Sequence, residues 1–464
     1  MSPLLAILLH LIGFSVIPAL CKNPSNSMRF ELLHRHHPKL HERILTPENR
    51  LEHVRELVRS DNLRKHLISE MLGRRRRAWE VSDPDGSFKM PLSSGRFAGT
   101  GQYFVRFHVG TPAQKFLLVA DTGSDLTWMN CRYRCRNCKR SGKSHRRIFL
   151  ADKSSSFSPI ECSSTACRTA LPFSLTTCPT PASPCAYDYG YVDGSSAKGF
   201  FANESSTVTL SSGRRTKLHG IVIGCSSAFV GSSFREADGV LGLGHSRYSF
   251  SVKATERYGG KFSYCLVDHL SPKNVSNYLT FGPTSGCNRT MRFANLVVKP
   301  RIEPLYAVDL VGISIGGVIL NIPSMVWDVN GQGGMILDSG TSLTMLVEPA
   351  YRAVFTALSE PLRVFKEVKI KPFDLCFNST LGYKEDLVPK LGLHFGGSDG
   401  SARFEPPVKS YVIDVADGVK CIGFMSVPWP GLSTIGNILQ QEHVWEFDLR
   451  NGRVGFEPST CALD

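Results

Sequence analysis

A chain of 464 residues, 42% hydrophobic and 20% charged, is too long for one ordinary core, so two or more domains or lobes are expected. The composition excludes a collagen-like or low-complexity protein, and the 41 glycines and 27 prolines suit a β-rich fold with many turns. The formal net charge of +14 keeps a nucleic-acid or polyanion binder among the function classes.

Residues 1–21 form an apolar run that ends in small residues, which predicts a secretory signal peptide. A membrane anchor is the alternative, but Pro18 and the polar stretch that follows favour cleavage. The 14 cysteines are typical of an oxidising compartment. Four N-glycosylation sequons agree with this route, at Asn203, Asn274, Asn288 and Asn378. We expect traffic to the extracellular space or vacuole, with the plastid as the alternative.

Residues 22–90 are rich in basic residues and contain no cysteine after the signal boundary. Leu51, Val54 and Val58 recur at helical spacing, and Thr46-Pro47 has the form of a helix start. This leader is interpreted as a removable helical prosegment. A small helical domain that is retained is the alternative.

From about residue 97 the chain changes to short β-type runs separated by Gly, Asp, Ser and Pro turns. Examples are YFVRFHVG, FLLVAD, GIVIGC, FSYCLV, VWEFDL and RVGFE. The clearest helix is PAYRAVFTALS, residues 349–359. These patterns predict an all-β body of antiparallel sheets.

An internal repeat identifies two candidate carboxylates. LVADTGSDLTWM (118–129) and MILDSGTSLTML (335–346) share Asp, Gly, Leu and Thr at equivalent positions. Each copy is followed, about a hundred residues later, by apolar or β-type residues that run into a glycine, in VLGLG (240–244) and STIGN (433–437). One Asp-Thr-Gly alone is a common turn, but two in matching settings single out Asp121 and Asp338.

With these motifs the chain resembles the pepsin-like aspartic endopeptidases, most closely their plant nepenthesin-type branch, over roughly residues 97–464. The resemblance implies a bilobal fold in which two β-barrel-like lobes flank a central cleft. The expected boundaries are 91–296 for the first lobe, with a cysteine-rich insertion at 131–185, and 297–464 for the second.

The resemblance also implies roles for the residues of the two turns. Asp121 and Asp338 would activate a water molecule for peptide hydrolysis, without a metal ion or cofactor. Their supporting residues would be glycines that allow a tight turn and hydroxyls that bind the carboxylates or join the two turns: Thr122, Gly123, Ser124, Ser339, Gly340 and Thr341.

A flap over the cleft is expected at residues 185–205, where Asp193-Gly194 favours a hairpin. By resemblance Tyr191 is the flap tyrosine, with Tyr187 and Tyr189 as competing assignments. Trp128 matches the tryptophan that orients it. Val192 stands where the family has glycine.

The cysteines allow other interpretations. Cys131, Cys135 and Cys138 near His145 could suggest zinc, and CxxC could suggest redox chemistry, but both conflict with an oxidising compartment. The resemblance implies six disulfides, with Cys287 left over. The expected pairs are Cys131–Cys135, Cys138–Cys225, Cys162–Cys185, Cys167–Cys178, Cys265–Cys461 and Cys376–Cys421.

The expected function is an acid endopeptidase that acts as a monomer and binds protein or peptide substrates in an extended form. It would be made as a secreted zymogen, in which the basic residues of the leader lie over an acidic cleft and inhibit the enzyme until the leader is removed. An inactive homologue that binds or inhibits another enzyme is the first alternative. The second is a polyanion contact through residues 131–153, where nine Lys and Arg residues stand against one Asp.

Overall fold

The structure is a computed structural model and describes part of the chain. The described residues are 28–34, positions 51, 52, 54, 55, 58 and 61, and residues 103–134, 147–171, 178–190, 196–210, 212–230, 237–268, 277–282, 290–299, 302–397 and 402–461. Strands hold 45% of the described residues, which confirms the β-rich fold class.

The strands of the first half lie mostly where β-type runs predict them. They are β1 (Met28–His34), β2 (Tyr103–Val109), β3 (Gln114–Asp121), β4 (Trp128–Arg132), β5 (Phe149–Leu150), β6 (Ser158–Pro159), β7 (Ala186–Gly190), β8 (Ser196–Thr209), β9 (Arg215–Val230), β10 (Gly239–Gly242), β11 (Lys261–Cys265), β12 (Asn277–Phe281) and β13 (Arg292–Val297). Helix α1 (Phe250–Arg257) starts at Ser249, whose side chain accepts the Val252 N–H.

The second half contains the remaining strands and one longer helix. The strands are β14 (Tyr306–Val308), β15 (Leu310–Ile315), β16 (Val318–Ile319), β17 (Met335–Leu337), β18 (Thr344–Val347), β19 (Cys376–Asn378), β20 (Leu391–Phe395), β21 (Arg403–Phe404), β22 (Val412–Ala416), β23 (Val419–Ile422), β24 (Phe424–Val427), β25 (Ser433–Ile435), β26 (His443–Asp448) and β27 (Arg453–Pro458). Helix α2 (Glu348–Ser359) matches the helix predicted at 349–359 and has proline in its first turn.

Most described strands join one continuous sheet system, and two smaller sheets add β15, β16, β20 and β21, and β19, β22 and β23. The two halves of the chain are linked where β11 pairs antiparallel with β26. At this seam the Lys261 Nζ lies 2.7 Å from a Glu446 oxygen and 3.4 Å from an Asp448 oxygen. Burial alone would raise the pKa of Asp448, but hydrogen bonds from Asn451 and Arg453 and the Lys261 charge lower it.

The leader departs from the wholly helical segment that its composition predicts. Positions 51, 52, 54, 55, 58 and 61 are helical, in agreement with the apolar spacing, but Met28–His34 is a strand. It lies between β12 and β2 and pairs antiparallel with both. The apolar side chains of Met28, Phe30 and Leu32 alternate along it and are buried, so its period is two rather than 3.6.

Four of the six expected disulfide pairings are wrong. Among the described residues the bonds are Cys131–Cys225, Cys162–Cys178, Cys167–Cys185, Cys265–Cys461 and Cys376–Cys421, so the last two predictions are confirmed. Cys131–Cys135 and Cys138–Cys225 are wrong, because β4 runs beside β9 and brings the Cα atoms of Cys131 and Cys225 to 4.9 Å. Cys135, Cys138 and Cys287 themselves lie outside the described residues.

The nested pair is exchanged for a crossed one, which corrects Cys162–Cys185 and Cys167–Cys178. Glu161 bridges to Pro184, so Cys162 and Cys185 sit on adjacent backbone segments but are offset rather than opposite. A single π-helical turn, Ala166–Ala170, carries Cys167 to Cys185 and leaves Cys162 for Cys178. The spacing of the cysteines along the chain gives no indication of this turn.

Across the described ranges, no helix has both the length and the apolar composition to cross a membrane.

Candidate active site

The two candidate carboxylates occupy equivalent places in the fold. Asp121 is the last residue of β3, and Asp338 directly follows β17. A strand runs parallel to each: β10 ends at Gly242, which lies opposite Asp121, and β25 places Ile435, the residue before Gly436, opposite Leu337. These pairings bring each Asp turn next to the glycine-containing segment that follows its copy in the sequence.

The glycines are needed because two backbone segments cross at these points. A Cβ atom added to Gly242 would lie 2.4 Å from the Asp125 carbonyl, and one added to Gly436 would lie 2.4 Å from the Leu343 oxygen. No side chain fits at either position. The apolar-apolar-Gly pattern therefore marks a crossing that only glycine permits.

A pair of threonines fastens these crossings. The Gly242 N–H donates to the Thr127 hydroxyl at 3.1 Å, and the Gly436 N–H donates to the Thr344 hydroxyl at 3.2 Å. Both threonines stand six residues after their aspartate, where the repeat shows a coincident Thr. The acceptor role of these threonines cannot be predicted from the repeat, since it depends on a strand that returns more than ninety residues later.

Each carboxylate is held by the same two donors in both copies. One Asp121 oxygen accepts the Gly123 N–H at 3.1 Å, and the other accepts the Ser124 hydroxyl at 2.7 Å. In the second copy the Gly340 N–H donates to Asp338 at 2.9 Å and the Thr341 hydroxyl donates at 2.7 Å. The hydroxyls of Ser124 and Thr341 contact the carboxylates as expected, and the N–H groups of Gly123 and Gly340 are donors that the sequence did not predict.

Hydrogen bonds between the two turns bring the copies together. The Thr122 N–H donates to the Ser339 hydroxyl at 3.1 Å, and the Ser339 N–H donates to the Thr122 hydroxyl at 2.9 Å. The Ser339 hydroxyl also donates to the Ala120 carbonyl at 3.3 Å. This reciprocal exchange joins residues 217 positions apart and fixes one turn against the other.

Both carboxylates are shielded from bulk water, since Asp121 is 1% exposed and Asp338 is fully buried. Each carboxylate is held by its own turn, and the two turns are joined by the Thr122–Ser339 hydrogen bonds. In the described ranges no three His, Cys, Asp or Glu side chains are grouped to hold a metal ion.

Trp128 starts β4 and is fully buried, 5.9 Å from the ring of Phe229. Tyr187 and Tyr189 are also buried in this cluster, and the Tyr187 hydroxyl bonds to Ser226 at 2.6 Å. Tyr191 and Val192, together with the expected hairpin at Asp193-Gly194, lie outside the described residues. Tyr187 is therefore a core residue, and Tyr191 stays a prediction.

Two of the four sequons can be described. Asn203 is exposed on β8, and the Asn378 side-chain oxygen accepts hydrogen bonds from the backbone and hydroxyl of Thr380. Asn274 and Asn288 lie outside the described residues, as do residues 1–21 and 135–146, which hold the signal-peptide prediction, His145 and most of the basic insertion.

Comparisons with known proteins bear on this site. Residues 103–283 match the family model described as xylanase inhibitor N-terminal, and residues 305–458 match the one described as xylanase inhibitor C-terminal. Aspartyl protease family protein 2 of Arabidopsis thaliana is 38% identical over 384 residues, 81% of this chain and 74% of the relative.

A second relative and one solved structure extend the comparison. Aspartic proteinase nepenthesin-1 of Nepenthes gracilis is 30% identical over 459 residues, covering 97% of this chain and 98% of the relative. The crystal structure named edgp aligns with a TM-score of 0.62 at 18% identity, over 79% of this chain and 94% of that one. At that identity the structural likeness concerns the fold alone.

Proposed function

Because the chain belongs to the plant nepenthesin-type branch of the pepsin-like aspartic endopeptidases, we propose that it hydrolyses peptide bonds through Asp121 and Asp338. The observation that carries this proposal is the mirrored set of donors around the two carboxylates, with the Thr122–Ser339 exchange between them. Capping of two independent turns would not require the hydrogen bonds that join them.

The chemistry follows from one shared proton. The ionised carboxylate removes a proton from a water molecule as the water oxygen attacks the scissile carbonyl carbon. The protonated carboxyl group donates a hydrogen bond to the carbonyl oxygen, which gains negative charge. The tetrahedral intermediate then collapses: the C–N bond breaks and the amine leaves with a proton from the pair. The hydroxyls of Ser124 and Thr341 keep each carboxylate oriented throughout.

The finer arrangement is also part of the proposal. We place one aspartate in each of two lobes, residues 91–296 and 297–464, with a cleft that takes a protein or peptide substrate as an extended strand. Tyr191 closes over that substrate, and Trp128 orients Tyr191. The enzyme acts as a monomer, is most active at acidic pH and needs no cofactor.

The route to the active form is proposed on sequence grounds. Residues 1–21 direct the chain into the secretory pathway, and residues 22–90 form a leader that keeps the enzyme inactive. Glycans on Asn203, Asn274, Asn288 and Asn378 and the disulfides suit an extracellular or vacuolar site, with the plastid as the alternative. Residues 131–153 offer a secondary contact for polyanions.

Isosteric substitution of the two aspartates tests the proposal. Asp121→Asn and Asp338→Asn keep the size of each side chain but remove the proton-accepting carboxylate. We expect each to lower cleavage of an unfolded protein at acidic pH by at least about 10³-fold, because the groups act as a unit. Unchanged thermal melting shows that the variants fold. Wild-type cleavage that pepstatin does not inhibit and that either variant retains would contradict the assignment.

One observation favours a second function. Both matching family models are described as xylanase inhibitor domains, so an inactive homologue that binds another enzyme is the alternative. It predicts that the wild type and both Asn variants are equally inert after the leader is removed, while tight binding to a glycoside hydrolase persists in all three.

A further inference from the structure

A buried carboxylate of the leader contacts the loop of the second aspartate. Asp61 is 1% exposed and lies on the leader helix, which we define by the described positions between 51 and 61. Its two oxygens accept the backbone N–H groups of Ser342 and Leu343 at 2.8 and 2.5 Å. Ser342 and Leu343 directly follow the Asp338–Thr341 turn, so Asp61 contacts the candidate site where the turn of the second aspartate ends.

The apolar side chains of the leader helix extend the same contact. Val54 and Val58 are separated by one helical turn and are 3% and 1% exposed, whereas Glu52 and Arg55 are exposed. Both valines belong to a core cluster with Leu343. The other members of that cluster come from the second half of the chain: Ile370, Phe373, Cys376, Ile413, Val415, Cys421 and Ile438.

Asp61 completes a loop that is already held on its carbonyl side. The Asn437 N–H donates to the Thr341 carbonyl at 2.7 Å, and the Ile438 N–H donates to the Ser342 carbonyl at 3.1 Å. The leader supplies acceptors for the N–H groups on the opposite side. Ser342 is fully buried and Leu343 is 1% exposed, so loss of the carboxylate would leave two shielded N–H groups to find new acceptors.

The charge that the leader contributes to this contact is opposite to the one in the leader inhibition that the sequence predicts. There, basic residues of the leader face acidic residues of the cleft. Here an acidic residue accepts hydrogen bonds from backbone N–H groups, and the charge of the carboxylate strengthens these bonds. The contact is also separate from the carboxylate oxygens of Asp338, whose two described donors are Gly340 and Thr341.

We propose that Asp61 anchors the leader helix at a docking surface formed by Ser342, Leu343 and their apolar cluster, and that loss of this anchor is the step that frees the leader. The surface recognises a helix with apolar residues four apart and a carboxylate three residues further on. This proposal rests on the proposed function, because it assigns the leader a place in the precursor of the protease.

Hydrogen exchange of the full chain tests the anchor without any need for activity. In an Asp121→Asn background, which cannot cut itself, the variants Asp61→Asn and Asp61→Ala are compared with Glu52→Gln. Glu52 is an exposed acid of the same helix and serves as the matched control. We expect both Asp61 variants to speed exchange in peptides spanning 51–61 and 342–346 by about 10- to 100-fold, and Glu52→Gln to change neither.

The exchange of β26 in the same sample shows whether the chain as a whole remains folded. Equal exchange in wild type and both Asp61 variants would overturn the anchor. Faster exchange at 51–61 with unchanged exchange at 342–346 would also overturn it, because the helix would then be held elsewhere.

A second measurement uses the active background and follows conversion of the precursor at acidic pH. We expect Asp61→Asn to shorten the half-life of the precursor by about tenfold and Glu52→Gln to leave it unchanged. An unchanged half-life in Asp61→Asn, alongside faster exchange at 342–346, would overturn the claim that anchor loss frees the leader. If the protein shows no proteolysis at all, the exchange result still decides the anchor.

Discussion

The hydrogen bonds between the two aspartate turns make a quantitative prediction. Ser339→Ala removes the hydroxyl that accepts the Thr122 N–H at 3.1 Å and donates to the Ala120 carbonyl at 3.3 Å. Thr122 is fully buried and Ser339 is 5% exposed, so water has poor access to the groups left behind. Two lost bonds, one leaving a buried N–H unpaired, should lower the free energy of unfolding by about 2–4 kcal/mol.

A double-mutant cycle with Thr122→Val shows whether the two bonds act as one lock. Thr122→Val removes the acceptor of the Ser339 N–H and should cost about 1–3 kcal/mol. Because both bonds join the same two turns, the coupling energy should exceed about 0.5 kcal/mol. Denaturant unfolding monitored by tryptophan fluorescence gives all four values.

Activity supplies the functional side of the same test. If the lock sets the separation of the carboxylates, Ser339→Ala should lower kcat about 10- to 100-fold and leave KM nearly unchanged. The matched control is Ser359→Ala in α2, where a serine of equal 5% exposure donates one bond within its own helix. A Ser339→Ala protein no less stable or less active than Ser359→Ala, or a coupling energy of zero, would refute the reasoning.

Two further predictions concern the crossing and the seam. Gly242→Ala should prevent accumulation of folded protein, because its Cβ would lie 2.4 Å from backbone atoms. The control is Gly312→Ala, whose Cβ would meet only a side-chain atom 3.9 Å away and which should express and melt like wild type. Equal yields of the two variants would contradict the account of the crossing. The folded pKa of Asp448 is lowered, so its contribution to stability is present above the ordinary aspartate range and is lost as pH falls through the folded value. Asp448→Asn should therefore flatten the acid limb of a plot of Tm against pH, and an unchanged slope below about pH 4 would count against this account.

Sequence patterns predicted the parts of the site that are local and repeated. Asp121, Gly123 and Ser124 follow one another in the chain, so their mutual contacts follow from one turn, and the second copy confirmed the pattern. The role of Thr127 was missed although the repeat displays it, because its partner Gly242 returns on a distant strand. The periodicity of local structure does not show which distant strand will lie beside Thr127.

The disulfides and the leader show the same limit. Cys162 and Cys167 were paired by analogy, and one π-helical turn between them exchanged their partners. The spacing of Val54 and Val58 predicts one face of a helix, but nothing in the sequence predicts that Asp61 is buried as well. An acidic residue next to an apolar stripe is ordinary on a helix surface, and only the position of the second turn makes it a contact.

The leader strand β1 bears on how the leader can depart. Met28–Phe281 through Leu32–Asn277 pair it with β12, and Leu32–Val105 through His34–Tyr103 pair it with β2. Of its residues only Leu32 pairs on both sides, so removal of the strand would uncover one stretch of the β12 edge and one stretch of the β2 edge. Severing the chain beyond residue 61 is therefore a different event from dissociation of the leader. Loss of the Asp61 anchor releases the leader helix, whereas β1 leaves the sheet only when its own pairings break.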